Sequence, residues 1–273
     1  MRFRTLIPLA VVTAALALPM ASLGAGGDGN QANPAKVCKA LRTQMGSDAF
    51  KAAYGTNQDK SNALGKCVSK TAQQEHQNTS NAQQSCRTEK TADAAAFALK
   101  YGTGKNHKNA FGNCVSQHAN QLQKEEQQAT GNVPQSCRSL RKQMGAKTFR
   151  QTFGTNKNRS NALGKCVSQL VKQQAKNQTN AAQSCKAEQA SDEAAFELKY
   201  GTNANMSNAF GKCVSEQAKQ KSDQQQQATV NAAKTCKAER TSIGNQAFKD
   251  KYGTNPNRSN AFSKCVSEHA KTK

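Results

Sequence analysis

The sequence predicts an all-α protein: a tandem array of five small three-helix modules, each closed by one intramodule disulfide. Three observations predict it. Ten cysteines are separated alternately by 28 or 29 residues and by 19 or 23. A string of the form Ala-Phe-x-x-x-Tyr-Gly-Thr-Asn-x-x-x-Ser-Asn-Ala-Phe-Gly-Lys-Cys-Val-Ser recurs five times among them. Its apolar residues fall at helical spacing and are punctuated by Gly and Asn. Self-similarity at such a period marks an array of supersecondary units.

From the N-terminus, Met1-Arg2-Phe3-Arg4 is basic, Leu6 to Leu18 is apolar, and Pro19 leads into Ser22-Leu23-Gly24-Ala25. That order reads as a secretory signal peptide over 1–25, cleaved near Gly24 or Ala25. The alternative, an uncleaved anchor, is disfavoured because the apolar run falls short of the roughly 20 residues a span needs. Residues 26–35 are expected to be a flexible lead-in. The modules follow at 36–75, 83–124, 135–175, 181–221 and 232–273.

Within a module, a first helix carries the first cysteine. In odd modules it ends at Met45-Gly46, Met144-Gly145 or Ile243-Gly244, where Gly is a natural helix stop. Even modules are one residue shorter there and offer Asp93 and Asp192, good N-caps for the next helix. The second helix is short, with Phe50 and Tyr54, or Phe97 and Tyr101, four apart on one face. Gly55, Gly102, Gly154, Gly201 and Gly253 end it, and their recurrence predicts a left-handed C′ conformation. Asn57, Gly104, Asn156, Asn203 and Asn255 read as a second left-handed position. The third helix opens at Asn62, Asn109, Asn161, Asn208 or Asn260, expected to be its side-chain caps. Leu64, Cys67, Val68 and Ala72 form its apolar stripe. Gly65, Gly112, Gly164 and Gly211, with Ser263 in the fifth copy, call for small size, as if another helix approaches closely.

With no Trp and aromatics at 5% of residues, no large single core is expected. Staples are therefore needed, and cysteines in an exported chain supply them. Pairing Cys38–Cys67, Cys86–Cys114, Cys137–Cys166, Cys185–Cys213 and Cys236–Cys265 leaves none over. Pairing across the linkers would strand Cys38 and Cys265. A loop of this length gains roughly 3.5 kcal/mol from closure in the chain-entropy model. The Gln-, Asn- and Lys-rich linkers could be helical, giving a semi-rigid rod, or flexible, giving beads on a string. Gly131 and Pro134 are expected to interrupt one of them.

Catalytic chemistry finds no foothold. His76, His107, His118 and His269 share no common module position and no visible carboxylate partner. No phosphate-binding glycine loop, zinc-protease or nucleophile-elbow motif occurs. Asn203-x-Asn205-x-Ser207 faintly resembles a calcium loop but lacks its carboxylates, so turn chemistry is the better reading. No cofactor or metal is expected.

The surviving signal is charge. The chain carries a formal net charge of +22, and +20 once Arg2 and Arg4 leave with the signal. So basic a chain is drawn to polyanions, although charge that serves only solubility would look the same. Between their cysteines, modules 1 to 5 carry +3, +3, +8, −1 and +4. The candidate polyanion-binding residues are Lys39, Arg42 and Lys66 in module 1; Arg138, Arg141, Lys142, Lys147, Arg150, Lys157, Arg159 and Lys165 in module 3; and Lys237, Arg240 and Lys264 in module 5. The expected partner is an anionic polymer or surface.

The stretches Lys199 to Ser215 and Lys251 to Ser267 resemble a motif in secreted, largely uncharacterised tandem-repeat proteins of high-GC Gram-positive bacteria. The resemblance covers all five modules. It implies export and a bacterial source, and no activity.

Overall fold

The structure, a computed structural model, describes residues 33–271. The expected signal peptide lies outside them. Eleven helices and no strands are present among the described residues: α1 (Pro34–Met45), α2 (Ser47–Tyr54), α3 (Ala63–Ala92), α4 (Ala94–Tyr101), α5 (Ala110–Met144), α6 (Ala146–Phe153), α7 (Ala162–Ser191), α8 (Glu193–Tyr200), α9 (Ala209–Ile243), α10 (Asn245–Tyr252) and α11 (Ala261–His269). None is long and apolar enough to cross a membrane.

The third helix of each module is continuous with the first helix of the next. α3, α5, α7 and α9 thus have 30, 35, 30 and 35 residues, about 45 to 52 Å at 1.5 Å per residue. They fold back on one another. Cys86 on α3 is bonded to Cys114 on α5, while farther along Glu75 accepts from Gln123 at 2.6 Å. Sequence position falls on one helix as it rises on the other, so the pair is antiparallel. α7 and α9 repeat this with Cys185–Cys213 and Asn177 to Gln225. The five disulfides, Cα–Cα 5.9–6.0 Å, staple successive helices at alternating ends of a bundle. Linkers are helical, but the result is neither a rod nor separate beads.

This topology explains the 99-residue step from Cys38 to Cys137 to Cys236. One step is one pass out along the bundle and back. Modules 1, 3 and 5 therefore meet at one end and modules 2 and 4 at the other. At the odd end Arg159 of module 3 donates to the Ser259 carbonyl of module 5 at 2.5 Å. At the even end Gln121 donates to the Asn208 carbonyl at 3.2 Å, and the rings of His118 and Phe210 stack at 6.0 Å.

Four buried clusters form: three centre on modules 2, 4 and 5, and the fourth is shared between modules. The largest joins Val37, Leu41 and Phe50 of module 1 to Leu140, Phe149 and Val167 of module 3, and reaches Val230 on α9. That corrects the expectation that no large core forms. The scarcity of aromatics is offset by small side chains such as Ala82, Ala119 and Ala182, each buried, which let long helices approach closely. Each module's second-helix aromatic pair, Phe50/Tyr54 and its equivalents, packs ring against ring at 4.8–5.0 Å as the spacing implies.

Several local expectations are corrected. Gly131 and Pro134 do not interrupt the linker; both are buried inside continuous α5. Gly46, Gly145 and Gly244 do end their helices, at φ +79° to +83°. Gly55 and its equivalents are instead extended, at φ −68° and ψ 130° for Gly55. Glycine is needed there because a Cβ on Gly55 would lie 2.4 Å from Lys60 Cβ, where the loop doubles back. Positive φ falls on Lys60, His107, Arg159, Met206 and Arg258, and of the second expected set only on Gly104.

Asn62 and its equivalents do not cap their helices with the side chain. Asn62 accepts from Thr56 N at 3.0 Å and donates to Thr56 Oγ1 at 2.8 Å, clasping the loop instead. The same clasp holds Thr103–Asn109, Thr155–Asn161, Thr202–Asn208 and Thr254–Asn260. Leu64 is exposed and Ala63 takes the buried place. Close approach accounts for Gly164, facing Ala52, and Gly211, facing Gln121, whereas nothing lies near Gly65 or Gly112.

Candidate functional site

The basic residues singled out in the sequence all belong to modules 1, 3 and 5, and the bundle gathers those modules at one end. Module 3 lies in its middle, sharing a core with module 1 and hydrogen bonds with module 5. Lys39, Arg42, Lys66, Arg138, Arg141, Lys142, Lys147, Arg150, Lys157, Lys165, Lys237 and Lys264 are exposed. None of these twelve is in a salt bridge among the described residues. Arg141 and Lys142 stand in the last turn of α5, where cations complement the helix dipole.

Two candidates are occupied otherwise. Arg159 donates to the Gln151 and Ser259 carbonyls at 2.8 and 2.5 Å. Arg240 lies 5.2 Å from the Phe262 ring centre and donates to Gln151 Oε1 at 3.4 Å. Both tie module 3 to module 5.

A second constellation recurs in modules 2, 4 and 5. Three residues after the first cysteine stands a glutamate that accepts from the module tyrosine. The pairs are Tyr101–Glu89 at 2.7 Å, Tyr200–Glu188 at 3.1 Å and Tyr252–Glu239 at 2.8 Å. The lysine before each tyrosine pairs with the same carboxylate: Lys100–Glu89 at 3.2 Å, Lys199–Glu188 at 2.6 Å and Lys251–Glu239 at 2.7 Å. Four residues after the second cysteine comes His118, Gln217 or His269. His118 approaches Glu89 at 3.5 Å and His269 approaches Glu239 at 3.8 Å. Two histidines thus do share a module position and a carboxylate. Cys-x-x-Glu and Cys-x-x-x-His were the signals that could have revealed this.

Environment separates these groups. His118 is fully buried; burial, and then the Lys100 charge, push its pKa down to about 4. It is therefore neutral near pH 7, with Nε2 3.2 Å from the Tyr101 oxygen, whose hydroxyl donates to Glu89. Burial, and then Glu89, hold Tyr101 well above the usual tyrosine range. In module 5 the hydrogen bond from Lys251 holds partly buried Glu239 below the usual carboxylate range.

Between modules 2 and 4, oxygens of Glu89, Glu193 and Glu197 lie within 4.8 Å of one another. The Lys100 ammonium contacts both Glu89 and Glu197, so their counter-charge comes from within the chain. Burial, and then Glu89, push Glu193 up to about 7. The cysteines beside His118 and His269 are all disulfide-bonded and offer no thiolate to a metal. Asn203 donates to Asn205 Oδ1 and Ser207 Oγ, each at 2.9 Å. Those oxygens are engaged in turn chemistry.

The bundle also holds a half-open cavity of about 370 Å³ between α3, α5 and α7, bordered by α1 and α2. Its wall mixes apolar side chains with Glu126 and Lys172. Comparison of the chain with protein-family models, curated proteins and solved structures finds no match.

Proposed function

We propose that the protein is a secreted, non-enzymatic repeat protein that binds an anionic polymer, either cell-envelope polymer or extracellular nucleic acid, through the end formed by modules 1, 3 and 5. The observation that carries this reading is the convergence of twelve exposed, unpaired bases on that end, centred on module 3 with its +8. Modules 2 and 4, at +3 and −1, sit at the opposite end. Lysines and arginines held on rigid helices attract a polyanion by releasing its counterions. The modules act together as one face, not as independently tethered sites.

The test is retention of the mature protein on DNA and on anionic cell-wall polymer across a salt series. Binding is expected at about 50 mM salt, with affinity falling steeply by 200 mM. Changing Arg138, Arg141, Lys142, Lys147 and Arg150 to Glu should abolish it and flatten the salt slope. No retention by the wild-type protein on either polymer at low salt overturns the reading.

A second reading is a structural protein of the cell exterior whose charge serves solubility. Arg159 and Arg240 favour it, since both act as ties between modules. It requires the five-fold charge reversal to leave localisation on the producing cell unchanged.

A further inference from the structure

Comparison of the five modules isolates one hydroxyl without its usual partner. In modules 2, 4 and 5 the tyrosine gives its proton to the glutamate three residues after the first cysteine. Module 3 has lost both groups, with Leu140 and Phe153 in their places. Module 1 has lost only the carboxylate: Leu41 stands opposite Tyr54. Tyr54 and Leu41 both line the 370 Å³ cavity. Its volume falls in the range of small-molecule sites, ~300–1,000 Å³.

The cavity wall carries both signs of charge, Glu75 and Glu126 beside Lys70, Lys172 and Lys176, and Glu75 is engaged by Gln123. On α5, Glu126 faces the cavity without a cation within salt-bridge reach, and burial pushes its carboxyl up to about 7. Its charge acts on Tyr54, placing the two together. On α3 and α7, Lys70 and Lys172 face the same space, and neither is in a salt bridge among the described residues. Lys70 Nζ stands 5.7 Å from the Tyr54 ring centre. Burial and then the Lys172 charge lower its pKa, and Lys172 lines the same cavity. Val37, Leu41 and Val171 supply an apolar wall. Glu126 is the costly charge there, largely buried and without a cation, whereas Lys70 and Lys172 remain exposed to solvent and free to meet an anion.

We propose that this cavity binds a small zwitterion with an apolar side chain, a free apolar amino acid or a dipeptide, with its ammonium on Glu126 and its carboxylate on Lys70 and Lys172. Tyr54 lines the same cavity and offers its hydroxyl to the ligand. The site adjoins the basic end through α1 and α2 but is lined by none of its twelve bases, and it is independent of the polymer-binding reading.

Calorimetric titration of the full mature protein at pH 8 with leucine and leucyl-leucine tests this. One equivalent of at least one should bind, and which one binds tighter distinguishes the two sources. Leucinamide and N-acetyl-leucine, each lacking one charge, should bind at least ~10-fold more weakly than the parent. Glu126→Gln should cost the zwitterion a similar factor while sparing N-acetyl-leucine. The Lys70→Met/Lys172→Met pair should do the reverse, sparing leucinamide. Melting curves confirm that each variant is folded, and Glu126→Gln should keep its salt-dependent retention on polyanion. No heat from any ligand up to about 10 mM, or equal affinity for blocked and unblocked forms, overturns the proposal.

Discussion

Gly55 and Gly65 lie ten residues apart and both recur among the modules, but only Gly55 is required. A Cβ on Gly55 meets Lys60 Cβ at 2.4 Å and the Lys51 carbonyl oxygen at 2.7 Å, and backbone cannot swing aside. Gly65 sits on an open helix surface. Gly55→Ala should therefore cost at least ~2 kcal/mol through strain, while Gly65→Ala should gain up to about 1 kcal/mol in helix propensity. Urea midpoints of the two variants check this; equal effects would refute the steric account. Glu126 offers a pH test. Its folded pKa, about 7, is raised above the ordinary 4.5 by burial. The folded state thus holds the proton more tightly, and stability falls as pH rises from about 4.5 to about 7, then levels. Glu126→Gln should match wild type near pH 4.5 and exceed it by up to about 3 kcal/mol at pH 8. Part of the wild-type slope should survive in the variant, because Glu193 titrates in the same window. A difference independent of pH would sink this assignment.

At the scale of elements, α5 is the helix that sequence reasoning would have broken. Pro134 lacks the N–H that would bond the Thr130 carbonyl, and its ring crowds that turn, a cost of about 3 kcal/mol in a helix interior. The helix persists because Val133, Cys137 and Leu140 beside it are buried in the core shared with module 1. Pro134→Ala should raise the urea midpoint, by about 1–2 kcal/mol after the loss of the buried ring. A lower midpoint would mean that the proline geometry seats module 3. Much else at this scale was legible. Helix ends at Gly46 and Asp93, the Phe50/Tyr54 face and the cysteine pairing depend on neighbours a few residues away or on loop closure, and both leave spacing in the sequence. The contacts between modules leave none. Lys100–Glu197, Gln189–Glu89 and Arg159–Ser259 join residues 97 to 100 apart. Their side chains look like solvated surface until the helices fold back. The unpaired tyrosine of module 1 lay between these cases. The Leu41 substitution was readable, but the cavity that gives it meaning is built from three long helices.

For the whole molecule, the alternating disulfides, the helices common to neighbouring modules and the core shared by modules 1 and 3 decide whether five modules behave as five bodies. Each long helix carries a cysteine of one module near its start and of the next near its end, so no module can unfold without releasing a helix its neighbour uses. Module 3 holds Leu140, Phe149 and Val167 in common with module 1 and is tied to module 5 by Arg159 and Arg240. Heat should therefore unfold the oxidised protein in far fewer than five steps, with van't Hoff enthalpies well above the value for one 40-residue unit. Replacing Cys137 and Cys166 by Ser opens a loop of 29 residues, worth roughly 3.5 kcal/mol. At about 2–4 °C per kcal/mol for a chain of this size, the main transition should drop by about 7–14 °C. Independent beads would respond differently: one fifth of the heat would move to lower temperature and the rest would stay. Calorimetry of the oxidised wild type and the double variant separates these outcomes. A split transition would show that the odd end is an assembly of separately stable parts. A single shifted one means that its basic face is presented by one cooperative body.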